Sequence, residues 1–542
     1  MASLLSLPQE LHDSICDVVD QRSLARLAST SKAWYESAKP VLWRYVWTLD
    51  ALLKLMRADA GDGMGVEQDG KLDDLWAGQL PLTADHWAPV YKVSSLVKEF
   101  SMGRIPHIIL QKVADCPPPT TLLPCLRKFC VVLDDAERLS LLVGGGNLLA
   151  EYIEFLQATI PSNLQQLILK NSLVLADIMS HCTQITSLAV EDSGSLPDVF
   201  YAPARNSLLQ SLPRCQHLTM VNLLLPFSRH SGVMEVLSTL PDLYIVKIGF
   251  SDFSGQPWNG GHPTYAQDAF PALRVLELVN MTLEDAEDII QTGDQRPLES
   301  ISVTTARSTD PGSLHALATA LRRHCDPAHL RQVMFTTCTY ERNRNLWPSN
   351  PTPFTFEQIA PLTAFPNVEV ARLCTSSEIC ITEDQWEHLA QSWPQLRRLD
   401  FLTYDFAMAG QPILSLAALA FFARFCPNIE EICVQLDAST VPPKPSSPPD
   451  WYAYRRRVRI AAAAPCEISR AEDVVAFLRS TFGNVTVNLL YLDKANEIGD
   501  EQLRRREEQW DLVRSLTSGE RPQTNEDMIW DEAAEASDAQ DP

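Results

Sequence analysis

The chain has 542 residues, 45% of them apolar, with 68 acidic against 45 basic side chains and a formal charge of −23. That length exceeds one ordinary domain and fits about two to four domains or a repeat array, with enough apolar residues for a real core. The acidity excludes a general nucleic-acid binder and a protein lying on anionic membrane, both of which present a basic face.

No secretory leader is expected: Met1-Ala2-Ser3 lacks a basic region, and Pro8, Glu10 and Asp13 interrupt the first apolar residues. The longest apolar stretch, Leu414 to Phe425, contains Arg424 and falls short of the roughly 18 residues of a membrane span. The 13 scattered cysteines then read as reduced thiols of a cytoplasmic or nuclear protein, and the sequons at Asn280 and Asn484 as incidental.

Ser6 to Trp47 carries three helical patterns in a row. Ser6 is placed to cap the first, with Gln9 at the capping-box position and Pro8 in the first turn. Leu11, Ile15, Val18 and Val19 then form one apolar stripe. A second helix starts near Ser23, with Leu24, Leu27 and Ala28 on one side. Ser31 caps a third bearing Trp34, Ala38, Val41 and Leu42, which Pro40 should kink or split. A unit of about 40 residues cannot bury that much apolar surface unaided, so this stretch reads either as a docking module or as the first part of a larger core.

Leu7-Pro8, Glu10-Leu11, Ile15, Ser23-Leu24, Leu27, Ser31, Trp34 and Leu42-Trp43 resemble the F-box pattern. The resemblance covers residues 1–47. It implies docking on a Skp1-type adaptor, and through it a cullin, with Leu7, Pro8, Leu11, Ile15, Leu24, Leu27, Trp34 and Trp43 as the contact set. Cys16-Asp17 departs from the pattern, and Asp17 is expected to face water.

Residues 48–95 read as a transition, in which Leu49, Leu52, Leu53 and Met56 extend a helix before the glycine-rich Gly61 to Gly70. Gly61, Gly63 and Gly65 lack the spacing of a phosphate-binding loop. The stretch 96–492 reads as a repeat. An apolar-x-x-apolar-x-apolar unit begins at Leu126, Leu164, Ile185, Leu218, Leu243, Leu273, Leu298, Leu330, Val368, Leu396 and Ile429, at intervals of 21 to 38 residues. Proline stands two residues ahead of six units, at 124, 241, 271, 366, 394 and 427, ending a helix and extending the chain. Helical spacing fills the intervals, as in Leu148, Tyr152, Phe155 and Leu156.

This pattern resembles irregular leucine-rich repeats of the kind found in F-box proteins, which implies parallel strands with helices on the outer side. The usual Asn or Cys eight residues after the first leucine is mostly replaced; only Cys338 fits, so an incomplete polar ladder is expected. Inserts are expected at 251–271 and 342–356 and a proline-rich break at 441–450. Residues 493–517 read as a solvated charged helix, and 518–542 as a disordered acidic tail containing Met528-Ile529-Trp530.

No catalytic constellation, metal-ligand spacing or cofactor motif emerges. His181-Cys182 and His324-Cys325 read as buried thiols beside polar rings. Arg455, Arg456, Arg457 and Arg459, beside Trp451, Tyr452 and Tyr454, form the one cluster suited to phosphate or an acidic substrate; a solvated face balancing local acidity is the plainer account. The resulting expectation is an α/β chain, F-box helices followed by a leucine-rich-repeat solenoid, acting as the substrate-recognition adaptor of an SCF-type ubiquitin ligase. It is non-catalytic, with an unknown protein substrate and neither nucleic acid nor membrane as partner. The alternatives are a repeat scaffold unconnected to ubiquitin, or an α/β enzyme.

Overall fold

The computed structural model describes residues 8–58, 83–133, 141, 148–192, 201–225, 231–249, 265–305, 311–337, 352–403, 413–443, 457–463, 467–490 and 501–518, apart from single positions inside these spans. The chain divides into two compact units, Met1–Ala272 and Leu273–Pro542.

The first unit opens with α1 (Gln9–Val18), α2 (Gln21–Ala28) and α3 (Lys32–Leu42). The expected cap at Ser6 lies outside the described residues. Pro8 stands at the N-cap, and Gln9 Nε2 instead donates to Ser37 Oγ at 2.6 Å, tying α1 to α3. Helix α2 starts two residues earlier than expected because Asp20 caps it, accepting from the Ser23 N–H at 3.0 Å. Ser31 caps α3 as expected, accepting from the Trp34 N–H at 3.3 Å. Helix α3 runs through Pro40 to Leu42 without splitting.

From α3 the chain passes directly into β1 (Tyr45–Val46), the first of a parallel series. It continues with β2 (Glu99–Met102), β3 (Lys128–Val131), β4 (Gln166–Leu169), β5 (Ser187–Glu191), β6 (Met220–Leu224) and β7 (Ile245–Gly249), each paired with the next. The repeat pairing therefore begins at Tyr45. The stretch expected as a transition supplies α4 (Leu49–Ala58), which packs against the helix Ala88–Ser94 and buries Leu49, Leu52, Leu53, Val90 and Val93.

The second unit continues the same plan with β8 (Val275–Val279), β9 (Ser300–Thr305) and β10 (Gln332–Thr337). Two short strands, β11 (Phe354–Thr355) and β13 (Ile379–Cys380), pair around β12 (Val370–Thr375). Then come β14 (Arg398–Thr403), β15 (Leu414–Ser415), β16 (Glu431–Val434), β17 (Leu436–Asp437), β18 (Val458–Ala463) and β19 (Val485–Leu490). The main ladder is β8, β9, β10, β12, β14, β16, β18, β19, all parallel.

In every one of the repeat units read from the sequence, the strand starts two residues after the first apolar position, as Leu126 precedes Lys128 and Ile429 precedes Glu431. The reason is a tight turn. The N–H of Leu126, Leu396 and Ile429 donates to the carbonyl three residues back, at Leu123, Trp393 and Cys426, over 3.2, 3.0 and 3.1 Å. Pro124, Pro394 and Pro427 then occupy the second position of that turn, where their fixed φ is already correct. The two following apolar positions point inward; Phe129 and Val131, for example, are fully buried. Sequential parallel strands joined by right-handed crossovers place all the helices on that buried side.

The polar ladder is incomplete: at five units a buried polar residue stands one residue earlier than the usual position, while Leu133, Leu225 and Leu436 occupy that place in others. Asp192, Asn280, Thr305, Thr375 and Thr403, seven residues after their first apolar positions, are all buried at strand ends. Asp192 Oδ2 accepts from the Ser172 N–H and hydroxyl at 3.0 and 2.7 Å, and Thr403 exchanges hydrogen bonds with Gln435 at 2.7 and 2.9 Å. Asn280 takes a left-handed φ of 56°, which its short polar side chain tolerates better than most. Its burial also closes that sequon to modification.

Both His-Cys pairs are structural. Burial pushes the Cys182 and Cys325 thiols up to about 12. His181 Nε2 lies 3.2 Å from the Ile160 carbonyl and His324 Nδ1 3.0 Å from that of Gly293. Native alkylation followed by mass spectrometry should therefore modify exposed Cys380 well before Cys182, Cys215, Cys325 and Cys426. Equal rates at all five would mean that the repeats open far more readily than this packing allows.

Most of the expected insert at 251–271, of that at 342–356 and of the proline-rich break, and the acidic tail beyond Ser518, lie outside the described residues. No helix among the described residues is long and apolar enough to cross a membrane.

Candidate functional site

The three leading helices have a core of their own. Cys16, Leu24, Trp34 and Ala38 are buried together, with Ile15, Val19, Leu27, Ala28, Val41 and Leu42 packed around them. The His12 ring sits against Trp34, centroids 4.2 Å apart. Burial, reinforced by Asp13 and Asp17, raises the Cys16 thiol. The inward face of α1 is thus His12, Cys16 and Val19, one position round from the stripe expected.

That rotation sends Leu11 and Val18 of the expected stripe outward. Leu11 is 48% exposed and Val18 83%, with half-buried Ile15 between them at helical spacing. Nine large apolar side chains are exposed among the described residues, and five of them, Leu11, Val18, Tyr35, Tyr45 and Trp47, fall within residues 11–47. Scattered exposed apolar side chains are ordinary, but a concentration on one small module marks an interaction surface.

The sequence-derived contact set divides on this geometry. Pro8 and Leu11 are exposed, Ile15, Leu27 and Trp43 are half-buried, and Leu7 lies outside the described residues. Leu24 and Trp34 are only 1% and 3% exposed, so they shape the surface from within instead of forming it. Val18, Tyr35 and Trp47 were absent from that set; for Val18 and Tyr35 the signal was the outward half of the period of α1 and α3, whereas Trp47 follows β1 and carried none. Asp17 faces water as expected and pairs with Arg44 at 3.1 Å. The Arg44 carbonyl also accepts from the N–H groups of Lys98 and Glu99, both at 3.0 Å, so one residue joins α1 to the first strands.

The arginine cluster is not gathered into an anion site by the described residues. Arg455 and Arg456 lie outside them, and Arg457 is exposed. Arg459 sits on β18, 3.6 Å from Glu431, which also holds Arg398 at 3.4 Å. It belongs to a ladder of alternating charge. Arg274 meets Glu299 at 3.1 Å, Arg331 meets Glu369 at 3.3 Å, and Arg397 meets Glu430 at 3.0 Å. Beside it the nearly buried Asp400 accepts from Arg372 and Arg398 at 2.8 and 2.9 Å. Exposed pairs of this kind contribute about 0–1 kcal/mol each. Their larger effect is on register, because displacement by one repeat sets like charges opposite one another.

A small helical module with a private core stands ahead of a parallel strand–helix repeat. The module is F-box-like: the family model of that description matches residues 4–48, so the chain carries an F-box-like domain followed by repeats. A solved structure that it resembles is described as the complex of Rad7 and Elc1 in yeast, with 12% identity, 77% of this chain and 93% of that chain covered, and a TM-score of 0.34. No curated protein matches the chain.

Proposed function

We propose that this protein is a substrate-recognition adaptor of an SCF-type ubiquitin ligase, docking through α1–α3 on a Skp1-type adaptor, and through it a cullin, while the repeat holds a protein substrate. The observation that carries this reading is the pairing of a private core with an outward apolar stripe inside the F-box-like segment. Helices that merely capped the repeat would turn that stripe inward. The chain itself contributes proximity, raising the effective concentration of substrate lysines near a charged conjugating enzyme, and the chemistry of transfer lies on other subunits. Such a complex works in the cytoplasm or nucleus.

The test is binding of the purified full chain, and of the chain lacking residues 1–47, to a recombinant Skp1-type adaptor. Retention by the first and loss by the second is the expected result. An intact chain that fails to hold the adaptor defeats the proposal and favours a repeat scaffold unconnected to ubiquitin.

A further inference from the structure

The helix that closes the second unit, Glu501–Ser518, has two unlike sides. Trp510 and Val513 on one side have no exposed surface. On the other, Arg504 and Arg505, then Glu508, Leu512 and Leu516 follow at spacings of three and four residues, and all of them are exposed. Among the described residues of the second unit, Leu512 and Leu516 are the only large apolar side chains left exposed, at 36% and 37%. The stripe is thus charged where the helix begins and apolar where it ends.

The chain leaves at that apolar end. Gly519 follows directly and Pro522 shortly after, residue types that stop a helix and turn the chain. Residues 519–542, outside the described ones, carry eight acidic side chains against Arg521 alone, and Met528-Ile529-Trp530 are their only large apolar side chains.

Three features of this segment match the stripe. The first is reach: ten residues lead from Ser518 to Met528 and extend to about 33 Å, whereas Leu512 lies about 9 Å back along the helix axis. The second is spacing. Leu512 and Leu516 lie about 6 Å apart along the axis, and Met528 and Trp530 of an extended chain share one side at roughly 6.6 Å. The third is charge. A chain returning antiparallel to the helix carries Asp531 and Glu532 toward Arg505 and Arg504, which outnumber Glu508 there. A contact of so few side chains is weak between separate molecules, but a tether of about ten residues supplies an effective concentration on the order of millimolar.

We propose that residues 526–532 fold back along the closing helix, with Met528 and Trp530 covering Leu512 and Leu516 and with Asp531 and Glu532 set toward the Arg504–Arg505 end. The tail then seals the outer side of the element that closes the second unit, and its apolar triplet is withheld from other proteins. None of this requires the adaptor reading.

The experiment uses the full chain with a benzophenone-bearing amino acid in place of Ser515, between the two leucines. Irradiated products are sized and mapped by mass spectrometry. Cross-links to residues 526–532 at the mass of a single chain are expected. Met528→Ser with Trp530→Ser should cut their yield at least about fivefold, since both apolar contacts are lost. Asp531→Lys with Glu532→Lys should cut it about two- to threefold, and only at low salt. Hydroxyl-radical footprinting of the chain without the probe is a second reading. Oxidation of Met528 and Trp530 should rise at least about threefold in the Leu512→Asp, Leu516→Asp protein, because both lose their cover. Cross-links at twice the chain mass would assign the face to a second copy and overturn the proposal. So would cross-links spread evenly over the tail or absent from it, a yield unchanged in the Met528→Ser, Trp530→Ser protein, or oxidation unmoved by the two aspartates.

Discussion

Replacing Leu11 and Val18 together with aspartate is expected to abolish capture of a Skp1-type adaptor while leaving the thermal midpoint unchanged. Both side chains stand on the outward face of α1 and contribute little to the core of the module. If docking buries them, each contributes about 1.5–2 kcal/mol, and a carboxylate in the same place adds a desolvation cost, so the pair amounts to a loss in affinity of roughly a thousandfold. Trp34→Ala gives the opposite pattern. It removes a residue at the centre of the private core, costs about 3–5 kcal/mol, and lowers adaptor binding only by unfolding the module. Circular dichroism beside titration calorimetry distinguishes the two. Full adaptor affinity in the folded Leu11→Asp, Val18→Asp protein would show that this stripe is not the docking face.

These two substitutions also mark how far the candidate site was legible in the sequence. The helical period around Leu11 was plain, but two adjacent faces of α1 compete for the interior. His12 and Cys16 are weak apolar signals, so the stripe of Leu11, Ile15, Val18 and Val19 could equally have met a partner or the interior. What decides it is tertiary: the His12 ring lies on Trp34, and Cys16 has no exposed surface. The repeat was far more legible, because three inward apolar side chains at fixed offsets from a turn leave the same imprint in each unit. Where that imprint is faint the strands were missed. Tyr45–Val46 is too short to carry it, and Val458–Ala463 is half alanine, a poor strand former. An anion site at the arginines there stayed open beside the plainer reading of a solvated face, because Glu431, the partner of Arg459, stands 28 residues away on another strand.

Trp510→Ala is expected to release the end of the second unit selectively. The closing helix, Glu501–Ser518, looked in the sequence like a solvated charged element, yet Trp510 and Val513 have no exposed surface. They pack the helix on β19, the last strand of its ladder, whose outer edge would otherwise present unpaired backbone groups. Thr517 Oγ1 accepts from the Val487 N–H at 3.1 Å, Arg479 donates to the Leu516 carbonyl at 2.6 Å, and Arg506 meets Glu467 at 2.9 Å. Removing the indole costs about 3–5 kcal/mol. In a repeat whose stability is a sum of neighbour contacts, that loss is felt locally instead of spreading along the array. Hydrogen exchange should show protection falling in β18 and β19 while β3–β6 keep theirs, with a new low-temperature step in the calorimetric melt. A uniform fall across both units would mean that the chain unfolds as one cooperative block, and an unchanged β19 would mean that its edge is held without the helix.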